Sequence, residues 1–383
     1  MIYLDNAATS HPKPEGVKAA ISDYLDNVGA SPGRSGHQLA AAAGRLLFQT
    51  RRAVARLFRL DDSGNIIFTQ NATASLNLAL FGLLRPGDRV LTGSLEHNSV
   101  MRPLRQLQKS HKITIDILPG NAGSHYDLNL LERWCATKNY RLAVINHASN
   151  VTGSLAPLAQ MLPLFRKHGI ISVVDGAQSA GACAIDLQAL DPDIFCFTGH
   201  KSLYGPSGTG GFYIRPDCPA TPLIFGGTGS RSENEEQPDF RPDCYESGTP
   251  NTMGLAGLKA GIEFIEKTGL AQIQRHEQKL IARLESGLRQ IANLSLHGPF
   301  AEEQRVPLFS FSIKGLSPSE IGFRLDREFS ILTRVGLHCA PRAHQSIGTW
   351  PQGAVRLAPG YFNCLEEMDA VINAVAEIAG EKT

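Results

Sequence analysis

The sequence has no Cys-x-x-Cys pair and no run of His and Cys at zinc-ligand spacing, so no metal site is expected from its cysteines. The seven cysteines (Cys135, Cys183, Cys196, Cys218, Cys244, Cys339 and Cys364) are odd in number. That excludes complete pairing within the chain and favours a reducing compartment. Neither charge is in excess: 37 Lys and Arg against 36 Asp and Glu leave a formal net charge of +1, which gives no electrostatic footing for nucleic acid or an anionic membrane. No apolar run reaches the roughly 20 residues of a bilayer span. The opening Met1-Ile2-Tyr3-Leu4-Asp5-Asn6 lacks the basic and apolar blocks of an export signal, so a cytoplasmic location is the expectation. Internal repeats and low-complexity tracts are missing too. What remains is a chain of 383 residues, 42% hydrophobic, long enough for two globular domains with substantial cores.

From about residue 65 to 215 short apolar strands alternate with helical segments. The expected strands are 65–69, 89–92, 113–118, 142–146, 170–175, 194–198 and 211–214, with helical spacing at Leu76, Leu80 and Leu83 and at Leu104 and Leu107. Strands apolar on both faces, alternating with helices, predict an α/β domain around a mostly parallel, doubly wound sheet of seven strands. Residues 217–250 are rich in Gly, Pro, Ser and charge and read as one long loop. Helical periodicity returns at 255–265 and again from Ile273 to Ile291. Strands are then expected at 308–313, 331–335 and 354–357, with helices at 319–329 and 365–379, which together read as a smaller α+β domain.

Lys201 follows the apolar strand Ile194-Phe195-Cys196-Phe197, and Asp175 ends the strand that starts at Ile170. Ligands on such sheets collect at the carboxyl ends of the strands. A lysine there, near low-dielectric surroundings, is a more available amine nucleophile. Paired with a buried carboxylate it fits pyridoxal 5'-phosphate (PLP), in which lysine forms the Schiff base and the acid keeps the pyridine nitrogen protonated. A structural ion pair at the sheet edge is the alternative.

Other residues fall on the same rim. Asn71-Ala72-Thr73 lies between a strand and a helix, either a phosphate site or a plain helix cap. His97 could stack on an aromatic cofactor or move protons, or be an ordinary loop histidine. Asn150 and Gln178 are neutral hydrogen bonders beyond strand ends. The glycines from Gly205 to Gly211 lead into a strand rather than a helix, so they read as tight turns and not as a dinucleotide loop. Cys339 stands in Arg334-Val335-Gly336-Leu337-His338-Cys339-Ala340-Pro341, with His344 behind it. These neighbours suit a reactive thiolate, with an inert cysteine or a site made of His338, Cys339 and His344 as the other readings. Arg356 offers a planar fork for a carboxylate, or a surface salt bridge.

Taken in order and separation, Glu96-His97, Asp175-Gly176-Ala177-Gln178, Gly199-His200-Lys201, Gly248-Thr249-Pro250-Asn251 and the run from Arg334 to Ala340 resemble the class V aminotransferase family of PLP enzymes. Within it they are similar to the cysteine desulfurase and selenocysteine lyase branch, group II. The resemblance runs from Tyr3-Leu4-Asp5-Asn6-Ala7-Ala8-Thr9 to Tyr361-Phe362-Asn363. It implies PLP-dependent transferase fold type I, with a large PLP domain over 15–255 and a small domain made of 1–14 and 256–383, in a homodimer with sites at the subunit interface. It implies Lys201 as the Schiff-base lysine, Asp175 on the pyridine nitrogen, and His97 stacked on the ring and catalytic. Gln178 would bond the phenolic oxygen with Asn150 nearby. Ala72, Thr73, Thr198 and His200 would hold the phosphate, joined by Thr249 of the second subunit. Arg356, with Arg334 and Asn150, would bind substrate, and Cys339 would accept sulfur.

Departures from the family pattern are Ser202 between Lys201 and Leu203, Asn98 where a second histidine is common, Ala72 where a threonine is common, and the run Gly226 to Ser230. The implied activity is conversion of L-cysteine to L-alanine with sulfur carried on Cys339 as a persulfide and passed to an acceptor protein or small thiol. Selenocysteine lyase activity, another class V reaction on a small amino acid, and a non-catalytic role in sulfur transfer are the other readings.

Overall fold

The structure, a computed structural model, describes residues 1–33, 36–120, 126–299 and 305–380. Seven strands form the main sheet in the order Ile66–Thr69, Gly210–Ile214, Ile194–Thr198, Ile171–Asp175, Leu142–Asn146, Arg89–Gly93, Thr114–Leu118. Only Gly210–Ile214 runs against its neighbours, and every other pairing outside that strand is parallel. The sheet is therefore mostly parallel, and six of its strands end at the same edge.

Successive side chains of a strand point to opposite faces, and here both faces are apolar. Ala143, Ile145, Val174, Phe195 and Phe197 pack into one core, with the helices Gln38–Leu57, Leu158–Lys167 and Thr252–Thr268. Leu142, Val144, Val173, Ile194 and Cys196 pack into the other, with Ala72–Leu83 and Asn98–His111. Burial on both faces is what the continuous apolar runs of the sequence foretell. The helices Glu15–Asn27 and Gln38–Leu57 precede the first strand of this sheet and were not among the expected elements. Residues 217–250 carry turns and no helix or strand, as expected.

A four-stranded antiparallel sheet follows, ordered Arg334–Gly336, Ala354–Leu357, Phe309–Ile313, Leu294–His297. The helices Leu270–Leu288, Pro318–Phe329 and Leu365–Ile378 cover it with a third core around Leu284, Phe309, Phe311, Leu325 and Val371. Two expectations need correcting. The strand expected at 331–335 is two strands separated at Thr333: Ile331–Leu332 pairs in parallel with Ile2–Tyr3, while Arg334–Gly336 joins the four-stranded sheet. The chain changes ladder because its own first strand offers a second partner. Leu294–His297 was not expected as a strand, since a four-residue segment with no buried side chain is too short to give a clear signal.

Candidate active site

Every candidate residue except Thr249 and His344 lines one cleft of about 220 Å³ at the carboxyl ends of the main sheet. Local folding explains why. Asp175, Thr198 and Asn146 end three adjacent strands. Gly199 lets the chain turn out of its strand toward Lys201, because a Cβ there would lie 2.1 Å from Thr209 Oγ1. Gly176 does the same after Asp175, where a Cβ would meet the Phe195 ring at 2.1 Å.

Lys201 is half-buried and lines the cleft, with protein packed densely around its side chain. Burial lowers its pKa to about 8; Asp175 opposes that shift, and Arg356 and Arg334 add to it. Burial pushes the Asp175 carboxyl up, against the Ala177 N–H, Lys201 and the Ser99 hydroxyl, which hold it down. His97 caps the helix Asn98–His111. Its Nδ1 accepts the Ser99 N–H at 3.0 Å, so the proton of the neutral ring sits on Nε2. Burial, then the nearby cations Lys201, Arg334, Arg356 and Arg102, lower the His97 pKa to about 4.

At the other end of the cleft Asn71 caps the helix Ala72–Leu83 through Ala74 N–H at 2.9 Å. Ala72 and Thr73 thus stand in the first turn, where N–H groups lack intrahelical acceptors and the helix dipole favours an anion. Two buried polar atoms beside them, Thr198 Oγ1 and His200 Nδ1, have no hydrogen-bond partner, as befits atoms that face an anion.

Arg356 is 2% exposed, donates to Asp5 Oδ1 at 2.6 Å and to the Asn150 carbonyl at 3.0 Å, and keeps Nε buried without a partner. Asn150 spends its amide N–H on the His338 carbonyl at 2.7 Å, and its Oδ1 is buried and unpartnered. Gln178 donates to the Ala7 carbonyl at 3.0 Å. Cys339 is exposed at the cleft, next to Arg334 on its wall.

The expected help from cationic histidines does not hold: burial lowers the pKa of His338 to about 2 and that of His344 to about 4, so both rings are neutral. Thr249 lies apart, exposed on the wall of a separate cavity with Leu223, Ile224 and Asn251. Among the described residues no group of three or more His, Cys, Asp or Glu is placed to hold a metal ion, and no helix is long and apolar enough to cross a membrane.

Reasoning from residue types missed the N-terminal segment. Thr9 Oγ1, Ser10 N–H and Lys13 Nζ all donate to the His200 carbonyl, and Ser10 Oγ donates to the Lys201 carbonyl at 2.9 Å. Ala7 and Ala8 line the cleft itself. Only the likeness of Tyr3–Thr9 to the family pointed there, because nothing in the composition of the segment marks it.

Residues 2–371 match the sequence profile of the aminotransferase class-V family. The chain belongs to that family. Class V enzymes work with PLP, and their architecture, PLP-dependent transferase fold type I, is the one seen here. Among class V relatives, a probable cysteine desulfurase of Pyrococcus abyssi is 33% identical, covering 99% of this chain and 94% of its own. A cysteine desulfurase of Escherichia coli is 30% identical, covering 99% and 93%. The solved cysteine desulfurase of Thermococcus onnurineus superposes with a TM-score of 0.91 at 32% identity, over 99% of this chain and 94% of that one.

The cleft fits PLP on its own terms. It joins an enclosed amine, a buried carboxyl and a neutral imidazole to a helix N-terminus flanked by two unpartnered polar atoms.

Proposed function

We propose that this chain is a PLP-dependent cysteine desulfurase that converts L-cysteine to L-alanine and carries the sulfur on Cys339. The observation that carries the reading is the joining, in one cleft, of Lys201 and Asp175 with an exposed Cys339 and an Arg356 whose buried Nε is unpartnered. Ala72, Thr73, Thr198 and His200 would hold the phosphate, Asp175 the pyridine nitrogen, Gln178 the phenolic oxygen, and His97 the ring face. When bound, PLP supplies an aldehyde for the substrate amine and a ring that withdraws electrons from the α-carbon.

The chain's own groups do the rest. Arg356 takes the substrate carboxylate in a charge-assisted bond, with Asp5 fixing the plane of the guanidinium and Arg334 adding positive charge. Lys201, with a pKa of about 8, holds and returns the α-proton near neutral pH. The Cys339 thiolate bonds to the substrate sulfur as the carbon–sulfur bond breaks. That bond's electron pair stays with the three-carbon fragment, which takes up a proton and leaves as alanine. One thiol group becomes one persulfide, so no outside oxidant is required. Because Cys339 is exposed, the persulfide is open to an acceptor protein or a small thiol.

The proposal includes a homodimer in which Thr249 reaches the phosphate of the other subunit. Its exposure away from the cleft supports this, as do the exposed apolar side chains of Leu223 and Ile224 on the same cavity wall. It also includes a large domain of 15–255, a small domain of 1–14 with 256–383, and a cytoplasmic site of action, which the seven free cysteines favour.

Cys339→Ser should keep the visible absorption of the bound cofactor and lose alanine and sulfide production from cysteine by about 10²-fold or more. Full activity of that variant on cysteine refutes the persulfide step. Retained turnover of selenocysteine alone would favour a selenocysteine lyase.

A further inference from the structure

Cys339 and His338 both stand in the left-handed region, with φ of 56° and 49°. Side chains other than glycine are strained there, and two in succession persist only where the surroundings over-determine them. Four contacts do so. Asn98 N–H donates to the Cys339 carbonyl at 2.7 Å, the Asn150 amide donates to the His338 carbonyl at 2.7 Å, and Ala340 N–H donates to the Leu337 carbonyl at 2.8 Å. The fourth is a buried chain of side chains behind the loop: His338 Nε2 meets the Arg334 carbonyl at 3.2 Å, His338 Nδ1 meets His344 Nε2 at 3.2 Å, and His344 Nδ1 meets Thr349 Oγ1 at 2.7 Å.

The direction of that chain follows from its end. A carbonyl only accepts, so His338 Nε2 carries a proton. In the neutral ring His338 Nδ1 is then a lone pair, and His344 Nε2 must donate to it. That leaves His344 Nδ1 as the acceptor for the Thr349 hydroxyl. With His338 4% and His344 0% exposed, both imidazoles are satisfied as neutral groups, and burial keeps them so. Neither ring has a nitrogen left to take a proton from Cys339, so neither is the thiol's base.

We infer that Thr349 and His344 are positioning residues, acting through His338 to hold the Cys339 backbone in the strained turn that presents the thiol to the cleft. The inference rests on the desulfurase reading and names what aims its nucleophile.

The test uses holoenzyme of His344→Leu, Thr349→Val and Thr349→Ser, beside Cys339→Ser. Misplacement of a reacting group by about 1 Å costs about 10²-fold in rate, so kcat for alanine from cysteine should fall by about that much in His344→Leu. Loss of the last link should cost Thr349→Val about tenfold, and Thr349→Ser, which keeps the hydroxyl, should match the parent. In each case KM, the cofactor's visible absorption and the shape of the pH profile should stay as they are.

Unchanged kcat in His344→Leu beside a dead Cys339→Ser overturns the inference and leaves the desulfurase reading intact. An active Cys339→Ser overturns the reading itself. Loss of one limb of the pH profile makes the pair a proton relay and refutes a positioning role, and so does a fall in cofactor absorption that parallels the fall in kcat. If His344→Leu does not fold, the two Thr349 variants decide: equal activity of Val and Ser at that position refutes the inference.

Discussion

The amine of Lys201 offers the sharpest quantitative prediction. An ordinary lysine with its pKa at 10.5 is neutral in about 0.03% of molecules at pH 7; at about 8 the neutral fraction is about 10%, a gain of about 300-fold in free nucleophile and roughly 3 kcal/mol in the balance of its two forms. Burial drives the shift, so it belongs to the folded cleft and vanishes on unfolding. The assay is the initial rate at which cofactor-free protein develops visible absorption with PLP, from about pH 6.5 to about pH 10. The rate should rise as the amine loses its proton, with a midpoint near 8.

Two variants fix the sign. Asp175 opposes the shift, so Asp175→Asn should move the midpoint below the parent's; Arg334 contributes to it, so Arg334→Gln should move the midpoint up. A parent midpoint near 10, or an upward move in Asp175→Asn, refutes the electrostatic account. Lys201→Ala should give no absorption at all and no borohydride-fixed adduct.

Two further outcomes follow from the same structure. Arg356→Gln should lower kcat/KM for cysteine by about 10²-fold, chiefly through KM, since a charge-assisted bond is worth about 1.5–3 kcal/mol; steady-state kinetics check it, and an unchanged KM argues against Arg356 as the carboxylate's partner. Glu277, whose pKa burial raises to about 8 against the Tyr361 N–H, stays protonated in the fold while the unfolded chain ionises near 4.5. Between those values the unfolded state binds fewer protons, so this group makes stability fall as pH rises from about 4.5 to about 8 and has no further effect above. Glu277→Gln should flatten that part of the profile, and urea midpoints of parent and variant across pH check it.

The main sheet was legible because its signal is local. Leu142–Asn146 and Ile194–Thr198 keep the expected bounds, since a strand buried on both faces is an unbroken apolar run. Weaker signals failed where pairing decides. Residues 331–335 look continuous in sequence and divide only because Ile2–Tyr3 competes for half of them. In the site, residue types at strand ends were readable, but their partners were not. Asp5, which steadies Arg356, comes from a segment 351 positions away, and the amide of Asn150 is committed to the His338 carbonyl. Thr249 matched a family pattern, yet it lies outside the cleft of its own chain.

The clasp between the first few residues and the far end of the chain bears on the order of synthesis. Asp5 leaves the ribosome long before Arg356 exists, and Ile2–Tyr3 has no ladder to join until Ile331–Leu332 is made. On the desulfurase reading, nascent chains that stop short of those segments would hold Lys201 and Asp175 but lack Arg356. The wall of the cleft is thus complete only once Arg334, Cys339 and Arg356 have been made, so fragments that end before them should not turn over free cysteine.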